Sequence, residues 1–397
     1  MIQTPSNNDM HNQERRDFIK TTGLATLALA MPTSLPAKSS ELLVYVGTYT
    51  NKGSKGIYVC KFNLSTGELK PFSTIQSDSP AFLAIDRKRK FLYAANEIGQ
   101  FQGKPSGAVS AFAINQKTGE LTFLNQQATN SPGPCSVIVD KTGKCVLAAN
   151  YSGGSVSVFP AKADGSLSEV SDLVQHQGSS INPNRQKEPH AHTIIIDDSN
   201  RFAFCADLGM DKVMSYKLDA KKGKLTPNSP AFTAVKPGSG PRHFKIHPNN
   251  KFAYVINELN ETVIAFAFDK TQGTLKEIQM ISTLPADFTG TSYCADVHIH
   301  PSGKFLYGSN RGHDSIAVFA IDQSSGKLSF VQHQSTQGKW PRNFAIDPTG
   351  QFLLVANQNT DNIVIFRINQ QTGKLTPTNN VVEISQPVCL KLIPTFS

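Results

Sequence analysis

Apolar and polar residues alternate in short segments from residue 42 to the end of the chain, and the pattern repeats as a unit. Each unit has an apolar segment that starts near a proline, a turn with Asp or His, a second alternating segment that ends in Asn, and a later turn with Gly. Residues 240–278 are the clearest copy. Alternation with a period of two predicts β-strands, and four short strands per copy are typical of a propeller blade.

The glycine of the last turn counts the copies, and it recurs at intervals of about 50 residues. The positions are Gly67, Gly119, Gly165, Gly223, Gly273, Gly326 and Gly373. Seven copies of this length predict an all-β fold, a seven-bladed β-propeller. Residues 42–46 match a second strand without a first, whereas residues 387–392 match a first strand. We therefore expect the C-terminal strand to complete blade one and close the ring.

Aligning the copies with one another separates positions that the fold requires from positions that it leaves free. Paired apolar residues recur in the first strand, as in Leu83 with Ile85 and Phe244 with Ile246, and we expect them to pack blade against blade. The second strand ends in a short polar side chain that can satisfy backbone groups. These strand ends are Asn96, Asn150, Asp207, Asn257, Asn310 and Asn357.

Two positions near one rim differ from copy to copy, so the fold does not dictate them. The residue after the strand-ending Asn or Asp and the first two residues of the first strand both lie on this rim, because the two strands form an antiparallel hairpin. We expect seven charged or titratable side chains around this channel mouth, namely His192, Arg242, His243, Glu258, Asp296, Arg311 and Arg342. They could be ion pairs that lock blades together, since buried charges are normally paired. As a group they favour a site for an anionic, ester-like substrate.

Three further histidines receive other assignments. His247 and His300 precede the turn proline where other copies have Asp, so both are expected in turns at the opposite rim. His298 follows Asp296 by two residues on the same face of its strand, and a packed, hydrogen-bonded role is expected for it.

The first 37 residues do not share the repeat. Arg15 and Arg16 are followed by Phe-Ile-Lys and a short apolar run from residue 23 to residue 31, a pattern typical of a twin-arginine export signal. The apolar run is about half the ~20 residues that a spanning helix needs, so no permanent membrane anchor is expected. We predict a signal at residues 1–37, a propeller domain at residues 38–397, a periplasmic or exported location, and the twin-arginine machinery as partner of the precursor.

Charge and cysteine content narrow the choice of function. The formal net charge is +9, but the lysines are scattered among turns without a basic stripe, which argues against nucleic acid as a partner. Six dispersed cysteines without a CxxC pair do not suggest a disulfide scaffold. No Cys/His ligand spacing or acidic calcium loop is present, so neither a metal nor another cofactor is expected. We expect a monomer that acts on a small molecule.

The segments GPRHFKIHPN, VINELNETV and CADVHIHPSGKFLYGSNR resemble motifs of the propeller-type 6-phosphogluconolactonase family, and the likeness extends from residue 42 over nearly the whole chain. The family includes carboxymuconate-lactonising isomerases (cycloisomerase 2 type). The resemblance implies lactone chemistry, and its functional positions match Arg242, Glu258, Arg311 and one histidine of the His-Ala-His segment, His190 or His192. It also implies a phosphorylated cytoplasmic substrate, which conflicts with the export signal and suggests an unphosphorylated lactone.

The leading hypothesis is hydrolysis of a sugar-type, anionic lactone without a metal. Glu258 or one of His190 and His192 would activate water, and Arg311 with Arg242 would stabilise the oxyanion or bind an acidic group. The remaining rim residues, His243, Asp296 and Arg342, are assigned to substrate binding. Three alternatives stay open: a lactonising cycloisomerase, a non-catalytic periplasmic ligand-binding propeller, and a calcium-dependent lactonase with Asp207, Asp211 and Asp296 as oxygen ligands.

Overall fold

A computed structural model describes residues 40–396 of the chain. The predicted signal at residues 1–37 and the predicted domain boundary at residue 38 lie outside the described residues. The 30 strands form seven four-stranded antiparallel sheets and one small hairpin. In the described part of the chain, no helix is long and apolar enough to cross a membrane.

The strands follow the chain from blade to blade. Blade one contains β1 (Glu41–Thr48), β2 (Gly56–Asn63) and β3 (Leu69–Gln76). Blade two contains β4 (Pro80–Ile85), β5 (Phe91–Asn96), β8 (Ala108–Ile114) and β9 (Leu121–Ala128), with the hairpin of β6 (Gln100–Phe101) and β7 (Lys104–Pro105) inserted. Blade three contains β10 (Pro134–Val139), β11 (Cys145–Asn150), β12 (Ser155–Pro160) and β13 (Asp172–Gln175).

The other four blades repeat this order. Blade four contains β14 (Ala191–Ile196), β15 (Phe202–Asp207), β16 (Lys212–Asp219) and β17 (Lys224–Ala234), and blade five contains β18 (Pro241–Ile246), β19 (Phe252–Asn257), β20 (Thr262–Asp269) and β21 (Thr274–Ser282). Blade six contains β22 (Tyr293–Ile299), β23 (Phe305–Arg311), β24 (Ser315–Ile321) and β25 (Leu328–Ser335). Blade seven contains β26 (Pro341–Ile346), β27 (Phe352–Asn357), β28 (Asn362–Ile368) and β29 (Leu375–Glu383).

The last strand, β30 (Pro387–Pro394), is the innermost strand of blade one. It pairs antiparallel with β1, so that Leu42 lies opposite Pro394 and Val46 lies opposite Leu390. The all-β seven-bladed propeller and the closure of blade one by the C-terminal strand are therefore both confirmed. Closure in this way pairs the inner edge of β1, which would otherwise be an exposed sheet edge.

Seven apolar clusters hold the ring together, one between each pair of neighbouring blades. The expected pairs from the first strands take part: Leu83 and Ile85 lie between blades one and two, and Phe244 and Ile246 lie between blades four and five. The cluster between blades seven and one includes Leu390 from the closing strand. Burial of these side chains from both faces of every sheet is the main stabilising contribution to the ring.

The strand-ending amides are fully buried and act in the scaffold. Asn310, for example, donates from Nδ2 to the carbonyl of Thr283 at 3.0 Å, and its Oδ1 accepts from the Thr283 hydroxyl at 2.7 Å. At the opposite rim, His247 and His300 lie in turns as predicted, and each accepts a turn N–H at Nδ1 at 3.1 Å. All six cysteines are buried and unpaired.

A β-bulge at the start of the innermost strand is common to the blades. The pairing with the second strand shifts between Pro80 and Phe82, and again between Pro241 and His243. Equivalent one-residue shifts occur in the other blades, and in blade six Ala295 and Asp296 together lie opposite Ser309. A bulge leaves one residue unpaired and re-aims its side chain. The bulge residues at the channel mouth are Ala81, Cys135, His192, Arg242, Arg342 and Val388, and in blade six the bulge comprises Ala295 and Asp296.

Candidate active site at the channel mouth

A cavity of about 320 Å³ opens at the rim where the innermost strands begin and the second strands end. Its wall combines bulge residues, residues that follow the strand-ending Asn, and loop residues. They are Glu97, Tyr151, Arg185, His192, Glu258, Tyr293, Arg311, Trp340 and Arg342. The antiparallel hairpin of the first two strands explains why the first two sets share this rim.

Glu258 is the centre of a buried ion-pair cluster. Its Oε2 accepts from Nε of Arg242 at 2.8 Å and lies 2.9 Å from Nη2 of Arg311. Its Oε1 accepts from Nη2 of Arg185 at 2.7 Å. Glu258 and Arg311 are each 5% exposed and Arg242 is 1% exposed, whereas the Arg185 side chain is 34% exposed. One carboxylate therefore fixes three guanidinium groups from blade five, blade six and the loop before blade four.

The electrostatics of the cluster keep Glu258 ionised. Burial by itself would raise the pKa of Glu258, but the charges of Arg311, Arg242 and Arg185 outweigh burial and hold that pKa well below its ordinary value. Burial lowers the pKa of Arg311 to about 10, against the opposing charge of Glu258. Both groups are charged at neutral pH, and Glu258 is a weak base because all three arginines would lose their partner if it took a proton.

Behind Glu258, a hydrogen-bonded relay fixes Arg242. An Nη1 proton of Arg242 is donated to Nε2 of His243 at 3.3 Å, so His243 carries its own proton on Nδ1 and donates it to Oδ1 of Asp296 at 2.6 Å. Asp296 Oδ2 accepts from Nε2 of His298 at 2.9 Å and from the amide of Asn343. Burial lowers the pKa of His243 to about 4 despite the charge of Asp296, so His243 is neutral in this relay.

His192 lines the cavity, whereas the other histidine of the His-Ala-His segment does not. Residue 192 occupies the bulge position of blade four, so it is the register equivalent of Arg242 and Arg342. Burial lowers the pKa of His192 well below its ordinary value, and the charges of Arg242, His243 and Arg342 add to this effect. His192 is therefore neutral at pH 7 and able to accept a proton.

His190 is a packing residue of the mouth wall. Its ring stacks on Tyr151 with centroids 4.4 Å apart, and its Nδ1 donates to the backbone carbonyl of Tyr151 at 3.0 Å. Its backbone N–H donates to Oδ1 of Asp207 at 2.8 Å. These contacts commit the ring of His190 to the support of Tyr151, which itself lines the cavity.

On the opposite wall, Arg342 is less tightly held than the arginines on Glu258. Its Nη2 lies 3.8 Å from Oε1 of Glu97, and its guanidinium lies 5.3 Å from the centre of the Tyr49 ring. The Tyr49 hydroxyl donates to Oε2 of Glu97 at 2.7 Å. Burial alone would lower the pKa of Arg342, but its interactions with Tyr49 and with the carboxylate of Glu97 outweigh burial and raise that pKa. Four arginines and two glutamates thus meet at the mouth, an excess of two positive charges that attracts anions.

Aromatic rings complete the wall around the arginines. The guanidinium of Arg311 lies 5.3 Å from the ring centre of Trp340 and 6.0 Å from that of Tyr293, and Arg185 lies 6.0 Å from the same Tyr293 ring. Arg185 also donates to the Tyr151 hydroxyl at 3.1 Å. The rings restrict the arginine side chains and keep water from one side of them.

The eight residues selected from the sequence therefore divide into two layers. Glu258, Arg311, His192 and Arg342 face the cavity, whereas Arg242, His243, Asp296 and His190 lie behind it and support the wall. The repeat comparison did not select Glu97, Tyr151, Arg185, Tyr293 or Trp340. Glu97 and Tyr151 directly follow strand-ending Asn residues, so their place in the repeat could have identified them as residues of the channel mouth. Arg185 lies in a long irregular loop, Tyr293 is the first residue of β22, and Trp340 is the chain's single tryptophan.

The three aspartates considered for calcium are each engaged elsewhere. Asp207 binds His176 through Oδ2 at 2.5 Å, Asp211 accepts the backbone N–H groups of Gly238 and Gly240, and Asp296 is held in the relay to His243. Within residues 40–396, no group of three or more His, Cys, Asp and Glu side chains is arranged to hold a metal ion.

The closed ring and the arginine-rich mouth define a seven-bladed propeller whose channel mouth carries excess positive charge. Residues 43–392 match the family model described as "Lactonase, 7-bladed beta-propeller". The chain belongs to this family, which confirms the resemblance found in the sequence motifs.

Individual relatives extend over almost the same length. The chain is 41% identical over 355 residues to a 6-phosphogluconolactonase of Bacillus subtilis, which covers 89% of this chain and 99% of the relative. A solved structure of a putative 6-phosphogluconolactonase from Bacteroides fragilis is 40% identical with a TM-score of 0.84 and covers 89% of this chain and 98% of its own. The solved structure of a periplasmic gluconolactonase of Pseudomonas aeruginosa is 34% identical with a TM-score of 0.85, and the match covers 90% of this chain and 100% of that chain.

Proposed function

We propose that this protein hydrolyses a sugar-type lactone in the channel-mouth cavity. Membership of the lactonase family and the names of the relatives support lactone hydrolysis. The observation that carries the assignment to this cavity is the cluster in which Glu258 fixes three arginines beside a neutral histidine. Preorganised cations next to a neutral base are what attack of water on a lactone carbonyl requires.

In the proposed reaction, His192 takes a proton from a water molecule that attacks the carbonyl carbon. Arg311 and Arg342 donate hydrogen bonds to the carbonyl oxygen as it becomes an oxyanion and to acidic groups of the substrate. The C–O bond to the ring oxygen then breaks, and the proton passes from His192 to the leaving alkoxide, which gives a hydroxy acid. Negative charge arriving among the arginines raises the pKa of His192 in the complex, so the base becomes stronger when it is needed.

Glu258 has a positioning role in this scheme. Both of its oxygens are occupied by arginines, and its pKa is held well below the ordinary value, so it is a poorer proton acceptor than His192. Its charge fixes Arg311 in front of the cavity and Arg242 behind it. The alternative in which Glu258 activates water requires the loss of one of these ion pairs first.

We further propose that the protein works as a monomer in the periplasm after twin-arginine export. Arg15 and Arg16 with the following short apolar run support export, and a relative from Pseudomonas aeruginosa is named a periplasmic gluconolactonase. An exported enzyme favours an aldonolactone without a phosphate group as the substrate. Replacing Arg15 and Arg16 by lysine should retain the precursor in the cytoplasm, and normal delivery of that variant to the periplasm would contradict the export proposal.

A panel of aldonolactones with and without a 6-phosphate, offered to the purified protein, tests the function. We expect acid release above the spontaneous rate, with a higher kcat/KM for unphosphorylated lactones, and Arg311→Met as the control that loses activity. Rates equal to spontaneous hydrolysis for every lactone would favour a ligand-binding propeller. Conversion of a carboxylated diene into a cyclic lactone would favour the cycloisomerase, whose substrate carboxylates the same arginines could hold.

A further inference from the structure

A second set of basic side chains lies deeper in the channel, at the fifth position of the innermost strands counted from the residue before the bulge. In blades five, six and one this position holds Lys245, His298 and Lys391. In the remaining blades it holds small or apolar residues, which are Ala84, Ile138, Ile195 and Ala345. The fold therefore accepts an apolar residue at this position, and basic residues here require another explanation.

Lys245 and Lys391 are not ion-paired within residues 40–396. Among residues 40–396, neither ammonium group has a hydrogen bond or an ion pair with a carboxylate. The Lys391 ammonium lies 4.5 Å from the centre of the Phe82 ring, which leaves its donors free. Burial lowers the pKa of Lys245, the charge of Asp296 opposes that effect, and the charge of Lys391 adds to it.

Asp296 cannot serve as the missing partner of Lys245 because its oxygens are already occupied. Oδ1 accepts from His243 at 2.6 Å and from the backbone N–H of Val297 at 2.9 Å. Oδ2 accepts from His298 and from the amide of Asn343. Four donors exhaust the four lone-pair positions of a carboxylate, so the three N–H donors of Lys245 are left to water or to a ligand.

The two lysines share one cavity of about 400 Å³ inside the channel. The inner strands of blades one to five line it, and its wall also includes the apolar side chains of Ile138, Ile195 and Phe82. Two ammonium groups together with apolar lining suit a small ligand with one anionic group and a less polar remainder. This cavity does not share a lining residue with the mouth cavity.

We propose that this inner cavity is a binding site for a small oxyanion, with Lys245 and Lys391 holding the anionic group. Ammonium groups bind carboxylate and phosphate oxygens alike as point charges, so the chemistry of the site is that of an oxyanion. The site is independent of the hydrolysis proposed at the mouth and requires no catalytic step. His243 lines this cavity and also accepts the hydrogen bond from Arg242, so an anion here lies one side chain from the relay that supports the mouth.

Calorimetric titration of the purified protein with inorganic phosphate, and separately with gluconate, at constant ionic strength tests the proposal. The test variant is Lys245→Ile combined with Lys391→Ile. It should fold because blade four already has an isoleucine, Ile195, at the same strand position. The matched control is Lys304→Met, which removes one exposed lysine from the turn that follows His300, at the rim opposite the channel mouth. We expect the double variant to bind one anion fewer per protein molecule, or to bind the anion at least tenfold more weakly. The control should bind as the wild type does.

A local measurement keeps the proposal testable if the double variant fails to fold. In the wild-type protein, acetylation of Lys245 and Lys391 should be slowed at least threefold by saturating phosphate or gluconate, while acetylation of Lys304 should not change. Protection by only one of the two anions would identify phosphate or carboxylate as the group bound. Equal isotherms for wild type and double variant, or no protection of either lysine by either anion, would overturn the proposal.

Discussion

Replacing Glu258 by glutamine should destabilise the protein by about 3 to 5 kcal/mol, the cost of removing one partner from a buried ion pair. Glutamine has nearly the shape of glutamate, so packing is retained and the change isolates the charge. The variant leaves Arg242 and Arg311, each at most 5% exposed, without the carboxylate that they share at 2.8 and 2.9 Å. The Arg185 side chain is 34% exposed, so water replaces its lost partner and it adds little.

Differential scanning calorimetry measures the effect. With about 2.1 cal/mol/K of unfolding entropy per residue, a ring of this length has roughly 0.75 kcal/mol/K, so the expected destabilisation corresponds to a fall in Tm of about 4 to 7 °C. The matched control is Glu97→Gln, at the equivalent position of blade two, where Arg342 lies 3.8 Å away and the Glu97 side chain is 22% exposed. We expect the control to change stability by less than about 1 kcal/mol.

The pH dependence of the same variant tests the cause. The pKa of Glu258 is depressed in the folded protein relative to its ordinary value of 4.5, so the stability it contributes is fully present above that pH and is lost as the pH falls through the folded-state pKa. The stability gap between wild type and Glu258→Gln should be constant from pH 8 to 5 and narrow at lower pH. A fall in Tm below about 1 °C, or a gap that persists unchanged to pH 3, would refute the reasoning.

Four further outcomes are expected. His192→Asn should lower kcat by roughly 100-fold, whereas His190→Asn should change it less than about threefold because its ring only supports Tyr151; equal losses would contradict the assignment of the base. Asn310→Ala should cost about 1 to 3 kcal/mol in urea unfolding, since the hydroxyl and the carbonyl of Thr283 each lose one buried hydrogen bond, and an unchanged midpoint would argue against a scaffold role. Truncation before Pro387 should abolish cooperative melting, because β1 loses its inner partner and the cluster between blades seven and one is broken; a normal melting curve would disprove closure. Activity should survive a metal chelator, and loss restored by calcium would assign the enzyme to another class.

The sequence by itself determined the repeat, the blade number and the closing strand, because each strand's alternation is local and the seven copies can be compared directly. The same comparison identified the rim positions where copies differ, and with them Glu258, Arg311, His192 and Arg342. Position within a blade follows from the repeat, since every blade is built to one plan.

Only the tertiary structure decided which of these residues share a cavity. The bulge at the start of each inner strand re-aims one side chain, which places His192 in the mouth while His190 packs on Tyr151. The packing of blade five against blade six buries Glu258 between Arg242 and Arg311. Arg185 reaches the same carboxylate from the long loop before blade four. A repeat pattern specifies where a residue lies in its own blade. Contacts between blades, and the conformations of the loops, are set only when the blades pack together in the closed ring.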